Sequence, residues 1–203
     1  MSYIKDDFLL ENESARNLYF GYAKAMPIFD YHCHLPEKQI LENKPFNDIF
    51  EIWLAGDHYK WRLMRACGVP ESHITGEASD YEKFLAWCQT MPKTIGNPLY
   101  TWTHLELKRF FGVDLVINEK NAPEIWERAN AKLATADFRR REIIKNSNVK
   151  VICTTGDPID DLAYHQRLAK EEVAFKVLPT FRPDKALNLD KPDFEQWITQ
   201  LGE

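Results

Sequence analysis

His32 and His34 stand one residue apart in "PIFDYHCHLPEKQI", residues 27 to 40, at the end of a short apolar run. Side chains of a strand alternate between its two faces. On an extended segment over 27–35, Phe29, Tyr31, Cys33 and Leu35 share a face suited to packing under helices. Ile28, Asp30, His32 and His34 share the other, which turns polar toward its C-terminal end. Two imidazoles on one face can reach one metal ion, and imidazole nitrogen suits zinc and neighbouring divalent ions at about 2.0 to 2.1 Å. The competing reading is two hydrogen-bonded histidines at a strand end, because an HxH triplet recurs by chance. Strand position and the polar face favour the metal pair. Two ligands fall short of the three that catalytic zinc usually takes from protein. No carboxylate among the 203 residues obviously completes the set, and Asp30, two residues deeper on the same face, reads as structural.

Two further clusters carry chemistry. In "GDHYKWR", His58 and Tyr59 are adjacent, and a histidine beside a phenol can couple a proton acceptor to a proton donor. Taken alone, the pair reads rather as the flank of a helix start capped by Asp57. In "LPTFRPDKA", Arg182 follows a strand, and its guanidinium can bind a carboxylate as a fork. The alternative is a surface ion pair with Asp184. His73, His104 and His165 sit in helical or loop context and receive no role. The four cysteines, Cys33, Cys67, Cys88 and Cys153, are scattered without a CxxC pair and read as small buried apolar residues.

The elements that must position these groups form an α/β pattern. Three segments read as strands: 27–35, "VKVICTT" from Val149, and "AFKVLPTF" from Ala174. Between the last two, Asp157-Pro158 predicts a helix start, and Ile159, Leu162, Ala163 and Leu168 give it an apolar stripe. That spacing is a βαβ unit, so strands two and three are expected to be parallel neighbours. Residues 36–148 differ in character. Segments such as "SDYEKFLAWCQTM" and "LYTWTHLELKRFFGV" carry helical periodicity punctuated by Gly, Pro and Asn, which predicts a large helical insertion after the first strand. Most of its tryptophans are expected in the core. A last helix is expected after Asp190, with Phe194, Trp197, Ile198 and Leu201 on one face. The expected organisation is one partial domain over 1–203: first strand 27–35, helical insertion 36–148, and strands two and three with helices over 149–203. A closed (β/α)₈ barrel needs about 200 to more than 400 residues and eight strands. Three strands with a terminal helix look unfinished beside that architecture, and an open three-stranded sheet would leave an exposed edge.

Composition narrows the class. Hydrophobic residues make up 44% and charged residues 28%, enough for one sizeable core. No run of about 18 apolar residues predicts a membrane span, and the charged N-terminus does not read as a signal peptide. A net charge of −5 argues against a nucleic-acid binder. Scattered cysteines indicate a reducing compartment, the cytoplasm.

The blocks "FDYHCHLP", "WLAGDHYKWRLMRACGV", "TIGNPLYTWTHLEL", "TTGDPIDDL" and "KVLPTFRPDKA" together closely resemble the uronate (glucuronate) isomerase family, and the likeness runs from "DDFLL" to "LGE". The resemblance implies an amidohydrolase-like, metal-dependent (β/α)₈ barrel. It implies interconversion of D-glucuronate with D-fructuronate, and of D-galacturonate with D-tagaturonate, in sugar-acid catabolism. His32 and His34 match the family's metal pair, for which zinc is the first expectation and manganese the second. His58 and Tyr59 match its conjoined His-Tyr pair, and Arg182 an arginine that contacts substrate. Family members are more than twice this length, and their third ligand, an aspartate on the last strand, would lie beyond residue 203. The chain therefore resembles the N-terminal part of such an enzyme, expected inactive alone. A small-molecule uronate is the expected partner, and a homo-oligomer of the complete protein stays open. The competing expectations are a metal-dependent hydrolase of the same superfamily and a non-catalytic fragment.

Overall fold

A computed structural model describes residues 3–202, which divide into two compact units: a sheet unit within 25–44 and 140–203, and a helical unit within 1–24 and 45–139. The helical block expected over 36–148 thus falls across both, because helices Glu37–Glu42 and Arg140–Asn146 belong with the sheet.

In the sheet unit, β1 (Ile28–Cys33), β2 (Val149–Gly156) and β3 (Lys176–Phe181) form a parallel sheet in the order β1-β2-β3. Ile152, Val149, Val177, Ile40, Leu41, Ile144, Leu168 and Phe175 make its core. Arg141 fastens helix Glu37–Glu42: its Nε donates to the Ile40 carbonyl at 2.7 Å and a terminal nitrogen donates to the Leu41 carbonyl at 2.7 Å. These are carbonyls that the helix end leaves without partners of its own.

Three local expectations are corrected here. Of the face expected to pack under helices, only Cys33 is buried, while Phe29 (60%), Tyr31 (76%) and Leu35 (45%) are exposed. β1 is an end strand, and its register shifts between Asp30 and Cys33 interrupt strict alternation. The helix expected from Asp157 runs instead over Ala163–Leu168. Asp157 accepts the Ile159 N–H at 3.2 Å and Asp160 accepts the Asp157 N–H at 2.8 Å, so side-chain turns occupy 157–160. The last helix spans Phe194–Leu201 with Asp193, not Asp190, at its start, since Pro192 disfavours helical backbone at Lys191. Trp197 is buried, but Ile198 and Leu201 are exposed.

The helical unit is built from locally encoded elements. Ser79 and Glu82 form a reciprocal capping box that starts helix Asp80–Thr90. Asn97 caps helix Pro98–Phe111, with Pro98 in its first turn, and Gly112 at φ +64° ends it. Ile49, Trp53, Phe84, Trp87, Met91, Leu107, Ile117 and Ile125 fill the core. Trp53 and Trp87 are buried as expected, whereas Trp102 is 55% exposed. Among the described residues no helix is long and apolar enough to cross a membrane.

Candidate functional site

The three parallel strands of the sheet unit end, at their carboxyl edge, next to His34, Asp157 and Arg182. Ligands of open α/β sheets gather at that edge. His32 and His34 are both exposed there, and their Nε2 atoms lie 3.0 Å apart with ring centroids at 4.8 Å. Two nitrogens on one tetrahedral ion at about 2.0–2.1 Å are separated by about 3.3 Å, so the rings fit a shared divalent ion with little adjustment. Among the described residues, no group of three or more His, Cys, Asp or Glu is placed to hold a metal. Asp30 accepts the His32 backbone N–H at 3.4 Å, a structural bond. Burial pushes the Cys33 thiol up.

Arg182, just past β3, forms a fork with Asp184: Nε to one carboxylate oxygen at 3.0 Å and a terminal nitrogen to the other at 3.2 Å. Its bonds hold the Asp184 carboxyl below the usual range. This is the ion pair weighed as the alternative from sequence, and it shows that the guanidinium presents a carboxylate-binding geometry. Asp157 accepts the Trp197 indole N–H at 2.8 Å and pairs with Lys185 at 2.8 Å. Burial opposes its ionisation, but Lys185 and Trp197 outweigh burial and hold its carboxyl below the usual range.

In the helical unit, His58 and Tyr59 are the first two residues of helix His58–Ala66. Asp57 caps this helix through one carboxylate oxygen, which accepts the Tyr59 N–H at 3.0 Å and the Lys60 N–H at 3.1 Å. The two exposed rings lie against each other, centroids 4.3 Å apart and tilted by 32°. Arg62 lies over the Tyr59 ring at 5.7 Å. Tyr59, Arg62, Trp102, Lys60 and Glu106 line one cavity of about 730 Å³.

Sequence reasoning passed over two features of these surroundings. Lys60 is 5% exposed, pairs with the second Asp57 oxygen at 3.4 Å and lies over the rings of Trp53 and Trp87. Glu106 faces the same cavity, where burial pushes its carboxyl up against the pull of Lys60. A lysine on the inner face of an otherwise apolar helical stripe was the available signal. The other feature is Thr155, whose hydroxyl meets His34 across the β1–β2 pair, and which the sequence marks only as the second of two threonines ending a strand. His104 and His165, given no role, are both buried and hydrogen-bonded within the fold.

A parallel sheet flanked by helices, with a histidine pair and an arginine at the carboxyl ends of its strands, defines an α/β protein. The sequence model described as glucuronate isomerase matches residues 1–203, and the chain belongs to that family. It is 58% identical over 203 residues to a uronate isomerase of Caldicellulosiruptor saccharolyticus and 56% identical over 202 residues to one of Solibacter usitatus. In both cases the match takes in 99% of this chain and 43% of the relative, so the chain spans less than half the length of these curated relatives. The crystal structure of a Thermotoga maritima uronate isomerase superimposes with a TM-score of 0.92 at 41% identity, covering 100% of this chain and 44% of that one. A Caulobacter crescentus glucuronate isomerase structure, at 22% identity and a TM-score of 0.85 over 97% of this chain and 43% of that one, shares the fold.

Proposed function

We propose that the chain supplies the first three strands of a (β/α)₈-type, amidohydrolase-like barrel that acts as an aldose–ketose isomerase. Its substrates are uronates: D-glucuronate exchanged with D-fructuronate, and D-galacturonate with D-tagaturonate, in cytoplasmic sugar-acid catabolism. The observation that carries this reading is the family match along all 203 residues, at 58% identity to a relative named uronate isomerase.

The chemistry asks for a proton moved between neighbouring carbons and another between their oxygens. The C–H next to a carbonyl becomes acidic when the developing enediolate is stabilised at its oxygens. A divalent ion held by His32 and His34, zinc first and manganese second, would supply Lewis-acid stabilisation there. Tyr59 is assigned the proton exchange at the oxygens, with the ring of His58 against it taking up the phenol proton and returning it as the proton moves between those oxygens. Arg182 is assigned the substrate carboxylate, because the fork that now holds Asp184 accepts any carboxylate of the same geometry.

A chimera tests the reading. Residues 1–203 are joined to the remaining C-terminal part of the Caldicellulosiruptor saccharolyticus relative and assayed with D-glucuronate and D-galacturonate, and in parallel with amide and ester substrates. Ketose formation with no hydrolysis is expected. A folded, metal-loaded chimera that cleaves esters or amides and leaves uronates unchanged would establish the hydrolase instead.

A further inference from the structure

We infer that Thr155 is a positioning residue that fixes the tautomer of His34 and aims its Nε2 lone pair at the metal. The inference rests on the metal reading of the His32–His34 pair.

With both contacts made as hydrogen bonds, their polarity leaves one assignment. Thr155 lies at the carboxyl end of β2, and its Oγ is 3.4 Å from the Cys33 carbonyl oxygen and 3.5 Å from His34 Nδ1. A hydroxyl has one proton to give and two lone pairs. A carbonyl only accepts, so the Thr155 proton goes to Cys33. The Thr155 oxygen then accepts from His34, which places the imidazole proton on Nδ1. His34 Nε2 is left with its lone pair free, as a metal ligand requires. The 3.0 Å contact between the two Nε2 atoms follows from the same logic. With His34 Nε2 unprotonated, His32 Nε2–H is the donor of that bond. Binding an ion therefore needs a tautomer change at His32 only, because His34 is already in the ligating form.

The fold explains why this falls to Thr155. Its strand pairs with β1 where Cys33 lies opposite Thr154, directly after the register shift at Asp30–Cys33. That shift places His34, just past the end of β1, beside the side chain of Thr155. Its neighbour Thr154 is buried against His165 at 2.7 Å and is turned away to another task. Outer-shell partners of metal-bound histidines fix ring orientation and tautomer, and their loss typically weakens metal binding 10- to 100-fold.

The test uses the 203-residue chain, kept below the concentration at which it scatters light, and zinc alone. Zinc affinity is measured by competition with a chromogenic chelator for the wild type, Thr155→Val, Thr155→Ser and His34→Ala. Long-range ¹H–¹⁵N spectra report the His34 tautomer without metal. Thr155→Val keeps the β-branched shape and removes only the hydroxyl. It is expected to weaken zinc binding about 10-fold or more and to release His34 from the Nδ1–H tautomer, while Thr155→Ser restores both. Wild-type affinity and an unchanged His34 tautomer in Thr155→Val, with binding lost in His34→Ala, would overturn the role of Thr155 and leave the metal pair standing. Equal zinc affinity in His34→Ala and wild type would instead overturn the metal pair, and the tautomer spectra then decide alone whether Thr155 sets the ring.

Discussion

At Asp57 one carboxylate serves two purposes. One oxygen caps the helix that opens with His58 and Tyr59, and the other faces the buried ammonium of Lys60. The two partners are not equivalent. Removing Asp57 strands a lysine with 6% side-chain exposure among indole rings, whereas removing Lys60 leaves a carboxylate with 30% exposure that water can solvate. An uncompensated buried charge costs more than a lost pair. Asp57→Ala is expected to destabilise the chain by about 2–3 kcal/mol and Lys60→Met by about 1 kcal/mol or less, as read by urea unfolding. The reverse order would show that Lys60 does not rely on Asp57, with Glu106 as its remaining partner. Asp184 offers a contrast. It is exposed and bonded to an exposed arginine, so Asp184→Asn should leave the unfolding midpoint unchanged. In the chimera the same change frees the guanidinium and should lower KM for uronate. Mechanistic assignment of the pair at the helix start is read in the chimera too. His58→Asn and Tyr59→Phe should cut turnover at least about 10²-fold with zinc content unchanged, and undiminished turnover in both would remove them from the reaction.

Helix Pro98–Phe111 is tied to the segment that follows it by a histidine. His104 is buried, its Nδ1–H donates to the Tyr100 carbonyl at 2.7 Å, and its Nε2 accepts the buried Ile117 N–H at 2.9 Å. That second bond satisfies a loop amide that has no ladder to join. Protonation of Nε2 would break it, and burial holds the His104 pKa below its ordinary value of 6.5. The unfolded chain therefore takes up this proton at higher pH than the folded one. Stability from His104 is complete above about pH 6.5 and falls as pH drops through the depressed folded value. The unfolding midpoint is expected to decrease between pH 7 and pH 5. His104→Gln should flatten that slope and cost about 1–3 kcal/mol at pH 7 by leaving the Ile117 amide unsatisfied. An identical pH slope in the variant would place the acid sensitivity elsewhere.

Across the molecule, the sheet unit carries the consequence of a short sheet. Among the described residues β1 and β3 each pair on one side only. The apolar side chains Phe29, Tyr31, Leu178, Phe181, Leu187 and Leu189 of that unit are all more than 40% exposed. Unpaired edges beside exposed apolar groups recruit further strands. The isolated chain is expected to scatter light increasingly with concentration, and Phe29→Lys together with Leu178→Lys should suppress this. In the chimera with the C-terminal part of its relative, the wild-type sequence should stay monodisperse. Association in the chimera equal to that of the isolated chain would count against barrel completion as the use of these edges.

What could be read from one dimension was what is locally encoded. The strand runs, the βαβ spacing that makes β2 and β3 parallel, and the Asn97-Pro98 start and Gly112 stop of a helix follow from side-chain periodicity and capping, which act over a few residues. The HxH spacing, the His58–Tyr59 adjacency and the Asp57 cap belong to the same class. The rest needed residues far apart in the chain. Which face of β1 is covered depended on its place at the end of the sheet and on a register shift set against β2. Thr155 reaches His34 across 121 positions, and Lys60 is enclosed by Trp53, Trp87 and the cavity that Glu106 also lines. Periodicity says that a side chain points inward, but the neighbour it meets there is fixed only when the chain folds back on itself, since pairing register and burial are sums over non-local contacts.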